Sequence, residues 1–393
     1  MKKINFSHFF SAFFRSFRVE LVHFFKDKAL FSSVVVTGIL VAFVYSAVYQ
    51  NEIPQRIPVH VVDLSSSSLS RNFISMVGAG QNVNIVSIGN NLSDAKIQFE
   101  EGTINGIILI PEDFHKDITY RRGSSISLYS DASNMMINKG ISTAVSKSLA
   151  TFNAQIEVSG AMRRGMTYIN SVNTRRAVTP ISNALFNPTS GYATFLLPVV
   201  YLVIIQTLLL TGIGVLEGTM REYDNYHSIY KSSFNIVPIL LGRSSAYLMI
   251  CILLFSIAAL GSMYVFEIPF RAKYLDVVVY LIPFFLSVIF LGFSLRGIFK
   301  KREDAALTIT FTSIPAVFLS GISWPTFTFP TWVKVFSTIF PTTYGSRGFV
   351  ALSQFGASFD EVETWWKYLW IMALFYFLLA FAVNMKFKKS KSF

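Results

Sequence analysis

Six long apolar stretches are spread very unevenly along the 393-residue chain, and this layout constrains the fold more than any other feature. A helix that crosses a bilayer needs about 20 mostly apolar residues. The first stretch is Leu30–Tyr49, a polar segment follows it, and five stretches crowd into the second half. Those five are Ala193–Leu216, Ile236–Phe266, Leu275–Ile298, Ala305–Ser323 and Tyr368–Val383. The layout predicts an α-helical membrane protein with six transmembrane helices and a soluble domain inserted between the first two.

The composition also favours a membrane protein. Hydrophobic residues make up 52% of the chain and charged residues 14%, whereas a soluble domain carries about 25% charged residues. The single cysteine, Cys251, lies inside the third predicted span. An intrachain disulfide is therefore impossible, and we interpret Cys251 as a small apolar residue of the helix packing.

Lysine and arginine lie mainly on one side of the predicted spans. The N-terminal segment, the loops after the second and fourth spans and the tail together hold 17 of them, and the remaining short loops hold five. The positive-inside rule then predicts a multi-pass protein of the inner membrane whose two termini face the cytoplasm. This distribution, with anionic lipid headgroups as the partner, explains most of the net charge of +12, so nucleic-acid binding is not predicted.

These features divide the chain into five parts. They are an interfacial helix at 1–28, a transmembrane helix at 29–49, an extracytoplasmic domain at 50–192, a five-helix transmembrane region at 193–385 and a basic cytoplasmic tail at 386–393.

The first of these parts has an aromatic stripe at three- and four-residue spacing. Its members are Phe6, Phe9, Phe10, Phe13, Phe17, Leu21 and Phe24. Such a stripe with cationic flanks predicts an amphipathic helix at the cytoplasmic surface of the membrane. Two interpretations stay open, because the helix can act only as a surface anchor or can also form part of a docking surface for a cytoplasmic partner.

The insert alternates predicted strands and helices, which is typical of a small α/β domain with partly parallel strands. The predicted strands are Pro58–Leu64, Asn82–Ile88, Gly106–Pro111 and Ser124–Ser130. The predicted helices are Ser67–Val77, Leu92–Glu101, Glu112–Tyr120 and Met135–Tyr168. Its two histidines, His60 and His115, are far apart in sequence, and no cluster of catalytic or metal-ligating residues appears. The chain is therefore not predicted to be an enzyme, or to hold a metal or cofactor.

Two short motifs carry more specific information. The first follows the second predicted span, at 217–232, where the pattern predicts a short amphipathic helix just inside the membrane. Its notable residues are Glu217, Gly218, Thr219, Met220, Tyr223 and Tyr226.

The second motif lies at 324–345, on the opposite side of the membrane, with Gly321 just before it. It contains Pro325, Pro330, Trp332, Pro341, Thr342 and Tyr344. The prolines break helices at defined points, and the apolar run between them is too short to span a bilayer. The pattern predicts a re-entrant or interfacial segment with aromatic side chains at headgroup depth.

Together these residues resemble the permease subunits of type-2 ABC exporters, in the branch that carries an extracytoplasmic domain after the first span. The resemblance covers nearly the whole chain and is most specific in the proline-rich motif. It departs at Arg221, where the family usually continues with glutamate and a leucine pair. The resemblance implies that the segment 217–232 couples the permease to a cytoplasmic ABC ATPase.

The resemblance also implies partners. No Gly-x-x-x-x-Gly-Lys-Ser/Thr phosphate loop occurs in the sequence, so ATP and Mg are expected on a separate ATPase chain. A second permease is expected, and the sequence leaves open whether it is an identical copy, whether a periplasmic adaptor takes part, and what the substrate is. The alternative is an envelope sensor or assembly protein that uses its outer domain for binding without transport.

Overall fold

A computed structural model describes residues 6–175, 185–187, 191–222, 236–297, 301, 303–304, 313, 315–322 and 324–390. The chain forms two compact units. One is Asn51–Ser190, and the other combines Met1–Gln50 with Gly191–Phe393. The unit Asn51–Ser190 contains the β-sheet, and the other unit contains the long apolar helices.

The chain begins with two helices, α1 (Phe6–Lys26) and α2 (Lys28–Tyr49). Asp27 separates them, because its carboxylate accepts a hydrogen bond from the Leu30 backbone N–H at 3.0 Å and so caps α2. The predicted amphipathic helix is therefore present as α1. Its buried line is Ala12, Ser16, Glu20 and Phe24, whereas Phe6 and Phe10 of the aromatic stripe are exposed. Apart from Phe24, the side of α1 that packs inward is therefore small and polar.

The unit Asn51–Ser190 contains a four-stranded sheet in the order β2-β1-β3-β4. The strands are β1 (Ile57–Asp63), β2 (Val83–Gly89), β3 (Gly106–Ile110) and β4 (Ser127–Ser130). The first strand pairs in parallel with β2 and β3, and β4 runs antiparallel to β3. This arrangement agrees with the partly parallel pairing that the alternation of strands and helices predicts.

The helices of this unit are α3 (Ser68–Gly78), α4 (Leu92–Glu100), α5 (Phe114–Thr119), α6 (Met135–Met162) and α7 (Tyr168–Arg175). Val59 and Val61 of β1 belong to one buried core with Phe73 of α3 and Phe152 of α6. The long helix α6 ends before the predicted Tyr168. A turn at residues 163–165 ends it, and Gly165 has a left-handed φ of 87° that suits glycine.

Long helices complete the other unit. They are α8 (Tyr192–Glu222), α9 (Ile236–Val265), α10 (Tyr274–Ser294) and α13 (Phe359–Ser390). Two short helices, α11 (Thr331–Ser337) and α12 (Pro341–Val350), lie between the last two. With α2, five described helices are long and apolar enough to cross a membrane. The fifth predicted span, Ala305–Ser323, lies partly outside the described residues.

The last helix is longer at both ends than the predicted span Tyr368–Val383. Its start is fixed by Ser358, whose backbone N–H donates to Glu361 Oε2 at 2.7 Å in a capping arrangement. Hydropathy marks only the apolar middle of a helix, whereas capping and side-chain packing decide where the helix begins and ends. The helix α8 similarly runs past the end of its apolar stretch to Glu222.

Helices α1 and α9 approach each other very closely at Gly242. A Cβ atom at this position would lie 2.3 Å from the Phe13 carbonyl oxygen and 3.1 Å from Ser16 Cβ. These distances are too short for any side chain, so glycine is required for the two backbones to pack. The other glycine of α9, Gly261, has no neighbouring atom closer than 3.7 Å to such a Cβ.

This difference gives a matched pair of substitutions. Alanine favours helix over glycine by about 1 kcal/mol, so Gly261→Ala should leave the melting temperature of the detergent-solubilised protein unchanged or raise it. Gly242→Ala should lower it clearly, because α1 has to move away from α9. Equal melting temperatures for the two variants would contradict the close packing of α1 on α9.

Candidate functional site

Four charged side chains meet inside the protein, at the ends of several long helices. Arg243 of α9 donates from Nε and Nη2 to the two carboxylate oxygens of Glu20 of α1, at 2.7 and 2.9 Å. Its Nη2 also lies 2.6 Å from Oε1 of Glu217 in α8. Arg296, in the turn after α10, places Nε 3.0 Å from Oε2 of Glu217. We call these four residues the buried charge network.

The four side chains are only 1 to 3% exposed. A single buried charge is very unfavourable unless it is paired and hydrogen-bonded. Here two arginines and two glutamates alternate along one chain of contacts, so their formal charges cancel. The two-pronged contact of Arg243 with Glu20 uses the planar guanidinium fork, which also fixes the direction from which α1 approaches α9.

Further contacts extend the buried charge network to α13. Arg296 Nη1 donates to Asn384 Oδ1. The guanidinium of Arg243 lies 4.7 Å from the ring centroid of Phe293, in α10. Phe387 receives two such cation–π contacts, from Arg296 at 5.2 Å and from Arg221 at 5.3 Å. Five helices are thus joined at one end by ionic and cation–π contacts.

Part of the predicted coupling segment lies at this network. Glu217, Gly218 and Met220 are buried in the last part of α8, which continues from the apolar span without a break. The hydroxyl of Thr219 donates to the Val215 carbonyl at 2.8 Å, within the helix. The carboxylate of Glu217 therefore has internal partners. A role of these residues in contacting an ATPase stays a prediction, and Tyr223 and Tyr226 lie outside the described residues.

Sequence pattern alone does not mark Glu20, Arg243 or Arg296 as a site. By sequence, both arginines belong to the basic residues at the predicted cytoplasmic side, whereas the structure buries them against glutamates. One signal was available, because both arginines fall inside predicted apolar stretches, Ile236–Phe266 and Leu275–Ile298, with no acidic residue beside them in sequence. The partners could not be found in this way, since Glu20 and Arg243 are separated by 223 residues.

The second predicted motif lies at the opposite ends of α10 and α13. Pro341 and Thr342 are buried at the start of α12, and Pro341 occupies a first-turn position that suits proline. The Tyr344 ring stacks on Tyr368 with centroids 5.1 Å apart, and its carbonyl accepts a hydrogen bond from the Tyr280 hydroxyl at 2.8 Å.

The remaining motif residues lie in exposed turns and in α11. Trp332 is 73% exposed, and Pro325 and Pro330 immediately precede the short helical turns Thr326–Thr328 and Thr331–Ser337. Gly321 has a φ of 90°, and a Cβ there would lie 2.4 Å from Thr326 Cγ2, so this turn requires glycine. The short apolar run between the prolines forms α11, and its position at a membrane surface stays a prediction.

Comparison with known proteins assigns the class of this chain. The family described as ABC-2 family transporter protein matches residues 28–382, which include the long apolar helices and the unit between them. The chain therefore belongs to the ABC-2 family of transporter membrane proteins. Among curated proteins it is similar to ABC transporter G family member 23 of Dictyostelium discoideum, with 23% identity over 286 residues. That match covers 70% of this chain and 38% of the relative.

The buried charge network is expected to stabilise the fold, and removing one of its members tests this. Arg243→Met leaves Glu20 buried without its cation, and such broken pairs typically cost about 3–5 kcal/mol. The melting temperature of the purified protein should therefore fall strongly. The double variant Glu20→Gln with Arg243→Met should recover part of the loss, because it no longer buries an unpaired carboxylate.

An exposed ion pair in the same unit provides the control. Lys367 and Glu363 are 2.9 Å apart on α13, with side chains 61% and 49% exposed. Lys367→Met should change stability by no more than about 0.5 kcal/mol. If Arg243→Met and Lys367→Met shifted the melting temperature equally, the buried charge network would not stabilise the fold.

Proposed function

We propose that this chain is the permease subunit of an ATP-driven ABC exporter, which moves its substrate outward with energy from a separate ATPase chain. Membership of the ABC-2 transporter family over residues 28–382 is the observation that carries the proposal. The matched relative is itself named an ABC transporter, and this chain spans 38% of its length. The printed sequence contains no phosphate-binding loop, so ATP and Mg are assigned to the partner.

We propose six membrane spans, and helix directions support this number. Near the start of both helices, Trp366 Nε1 of α13 donates to the Val279 carbonyl of α10 at 3.2 Å. Near the end of both, Arg296 contacts Asn384. Helices α10 and α13 therefore run parallel, so the chain between them has to cross the membrane an odd number of times. The predicted fifth span, Ala305–Ser323, is our candidate for this return.

We propose that the buried charge network transmits the motion of the ATPase. The predicted coupling segment, 217–232, starts at Glu217 in the last part of α8, and the next helix, α9, starts close to Arg243. A force that the ATPase exerts on this segment therefore acts on two helices whose ends are ion-paired. Because the pairs continue to α1 and to Arg296, the helix ends would shift together rather than bend one at a time.

A second permease is proposed to pack on the outer helices of this unit. In the most apolar windows of α8 and α10, 72% of the residues are buried, against 22% in α2 and 28% in α13. Exposed apolar side chains on α2 and α13, such as Leu40, Val44, Phe375 and Leu378, would contact lipid or the second permease. The substrate, and the involvement of a periplasmic adaptor, are not assigned.

The first experiment tests partner and activity together. The chain is co-expressed with a candidate ATPase, purified through a tag, and reconstituted into vesicles for an ATP-dependent transport assay. Tyr223→Asp with Tyr226→Asp should reduce the co-purified ATPase about tenfold, equivalent to ~1.4 kcal/mol of binding. The matched control is Tyr129→Asp with Tyr168→Asp, two exposed tyrosines of the other unit, and it should retain the ATPase.

Two outcomes would oppose the proposal. Retention of the ATPase by the Tyr223/Tyr226 variant would show that docking does not use this segment. Failure to co-purify any ATPase, together with ligand binding but no transport in vesicles, would favour a sensor or assembly protein.

The second experiment tests the orientation. Cys251 is buried and is the only cysteine, so Cys251→Ala gives a cysteine-free background. In intact cells, a membrane-impermeant maleimide should label Ala132→Cys in the unit Asn51–Ser190. Lys301→Cys, close to Arg296 in sequence, should be labelled only after the membrane is opened. The reverse pattern would place the α/β unit in the cytoplasm.

A further inference from the structure

A groove lies within the unit Asn51–Ser190, between helix α6 and the segment 121–126 that leads into β4. Its volume is about 790 Å³, within the range of about 300–1,000 Å³ that small-molecule sites occupy. Both walls belong to one compact unit. The groove is therefore defined by this unit alone, and nothing in the proposed transport mechanism uses it.

The floor of the groove is apolar and rigidly packed. Phe114 of α5 and Phe152 of α6 stack with ring centroids 5.8 Å apart and an interplanar angle of 18°, and each is only 2% exposed. Four aliphatic side chains continue this floor, namely Ile118, Ile126, Leu149 and Ile156. These four side chains are only half-buried, so covering them with an apolar chain or ring is favourable.

One end of the groove is cationic. Arg121 and Arg164 line it, and Glu157 also lines it, so these three residues carry a net formal charge of +1. Arg121 Nη2 lies 3.9 Å from the position that a Cβ on Gly160 would occupy. This places the Arg121 guanidinium at the end of the groove that lies near the C-terminus of α6. The missing side chain at Gly160 leaves room for a ligand group beside this guanidinium.

Charge and hydrophobicity are thus separated along the groove. The aliphatic residue Leu149 lies three turns of α6 before Gly160, and Arg164 lies four residues after Gly160, in the turn that ends the helix. A ligand that fits this gradient has an apolar body at one end and a negative group at the other. Guanidinium groups bind carboxylates and phosphates through paired, charge-assisted hydrogen bonds.

We propose that this groove binds a single-chain amphipathic anion. Its apolar chain lies on the four aliphatic side chains above the Phe114–Phe152 pair, and its anionic head lies against Arg121 and Arg164. Glu157, at the same end, disfavours a second negative charge on the ligand, so the fitting class is a monoanion such as a fatty carboxylate.

The test uses the full chain in nanodiscs and dodecanoate that carries a photoactivatable diazirine at the end of its chain. After irradiation, mass spectrometry locates the labelled peptides. We expect saturable labelling of α6 around Leu149–Ile156. Unlabelled dodecanoate should displace the probe, whereas the uncharged dodecanol and the cationic dodecyltrimethylammonium should compete about tenfold less well.

Neighbouring substitutions on α6 separate the groove from the lipid. Gly160→Leu fills the head-group end and should reduce labelling about tenfold, because the anion can no longer reach Arg121. Ser159→Leu is the matched control, since Ser159 is exposed and does not line the groove, and it should be labelled like the unchanged protein. Arg121→Gln with Arg164→Gln should remove the preference for dodecanoate over dodecanol.

Three results would overturn the proposal. The first is equal labelling of the Gly160→Leu and Ser159→Leu variants. The second is equal competition by dodecanoate, dodecanol and dodecyltrimethylammonium. This result is expected if the probe simply partitions into the nanodisc or if the groove binds a protein segment. The third is labelling confined to the long apolar helices. None of these results depends on an ATPase, so each can be distinguished from failure of the transport proposal.

Discussion

The burial of four charges at the helix ends is the constraint on which the rest of this transporter unit depends. Ions in a protein interior are stable only when each one is paired, so Glu20, Glu217, Arg243 and Arg296 have to arrive together. Because they come from separate helices, their pairing fixes which helix ends meet and in what orientation. The close approach at Gly242 is part of the same arrangement, since it brings α1 near enough for Glu20 to reach Arg243.

The two ends of the helices are held by different chemistry. At one end, ion pairs and cation–π contacts join α1, α8, α9, α10 and α13. At the other end, the Tyr280 hydroxyl donates to the Tyr344 carbonyl at 2.8 Å, and in the middle of α13 the Tyr376 hydroxyl donates to the Ile339 carbonyl at 2.5 Å. Neutral hydrogen bonds of this kind are individually worth about 1 kcal/mol, less than charged contacts. The contacts at the ionic end are therefore individually stronger, which suits the proposed transmission of force from an ATPase.

Much of the fold followed from local pattern, and little of the site did. Hydropathy located α2 and α10 through the apolar stretches Leu30–Tyr49 and Leu275–Ile298, and alternation located the strands, because both signals depend on neighbours within a few residues. The aromatic stripe of α1 correctly indicated a helix, but the side that the protein buries is the Ala12–Glu20 side. A phenylalanine side chain is about as stable in lipid as in a protein core. The positions of the phenylalanines alone could therefore not decide which face of α1 packs inward.

The sequence by itself determined the class of this protein, because the length and spacing of apolar stretches decide what can cross a bilayer and where a separate α/β unit can fold. It also carried the resemblance to the transporter family. Only the tertiary structure decided that Arg243 and Arg296 are interior residues, that Glu217 has internal partners, and that Arg121 and Arg164 share one groove. The physical reason is that an ion pair or a groove wall is made by residues distant in the chain, and their meeting is set by packing.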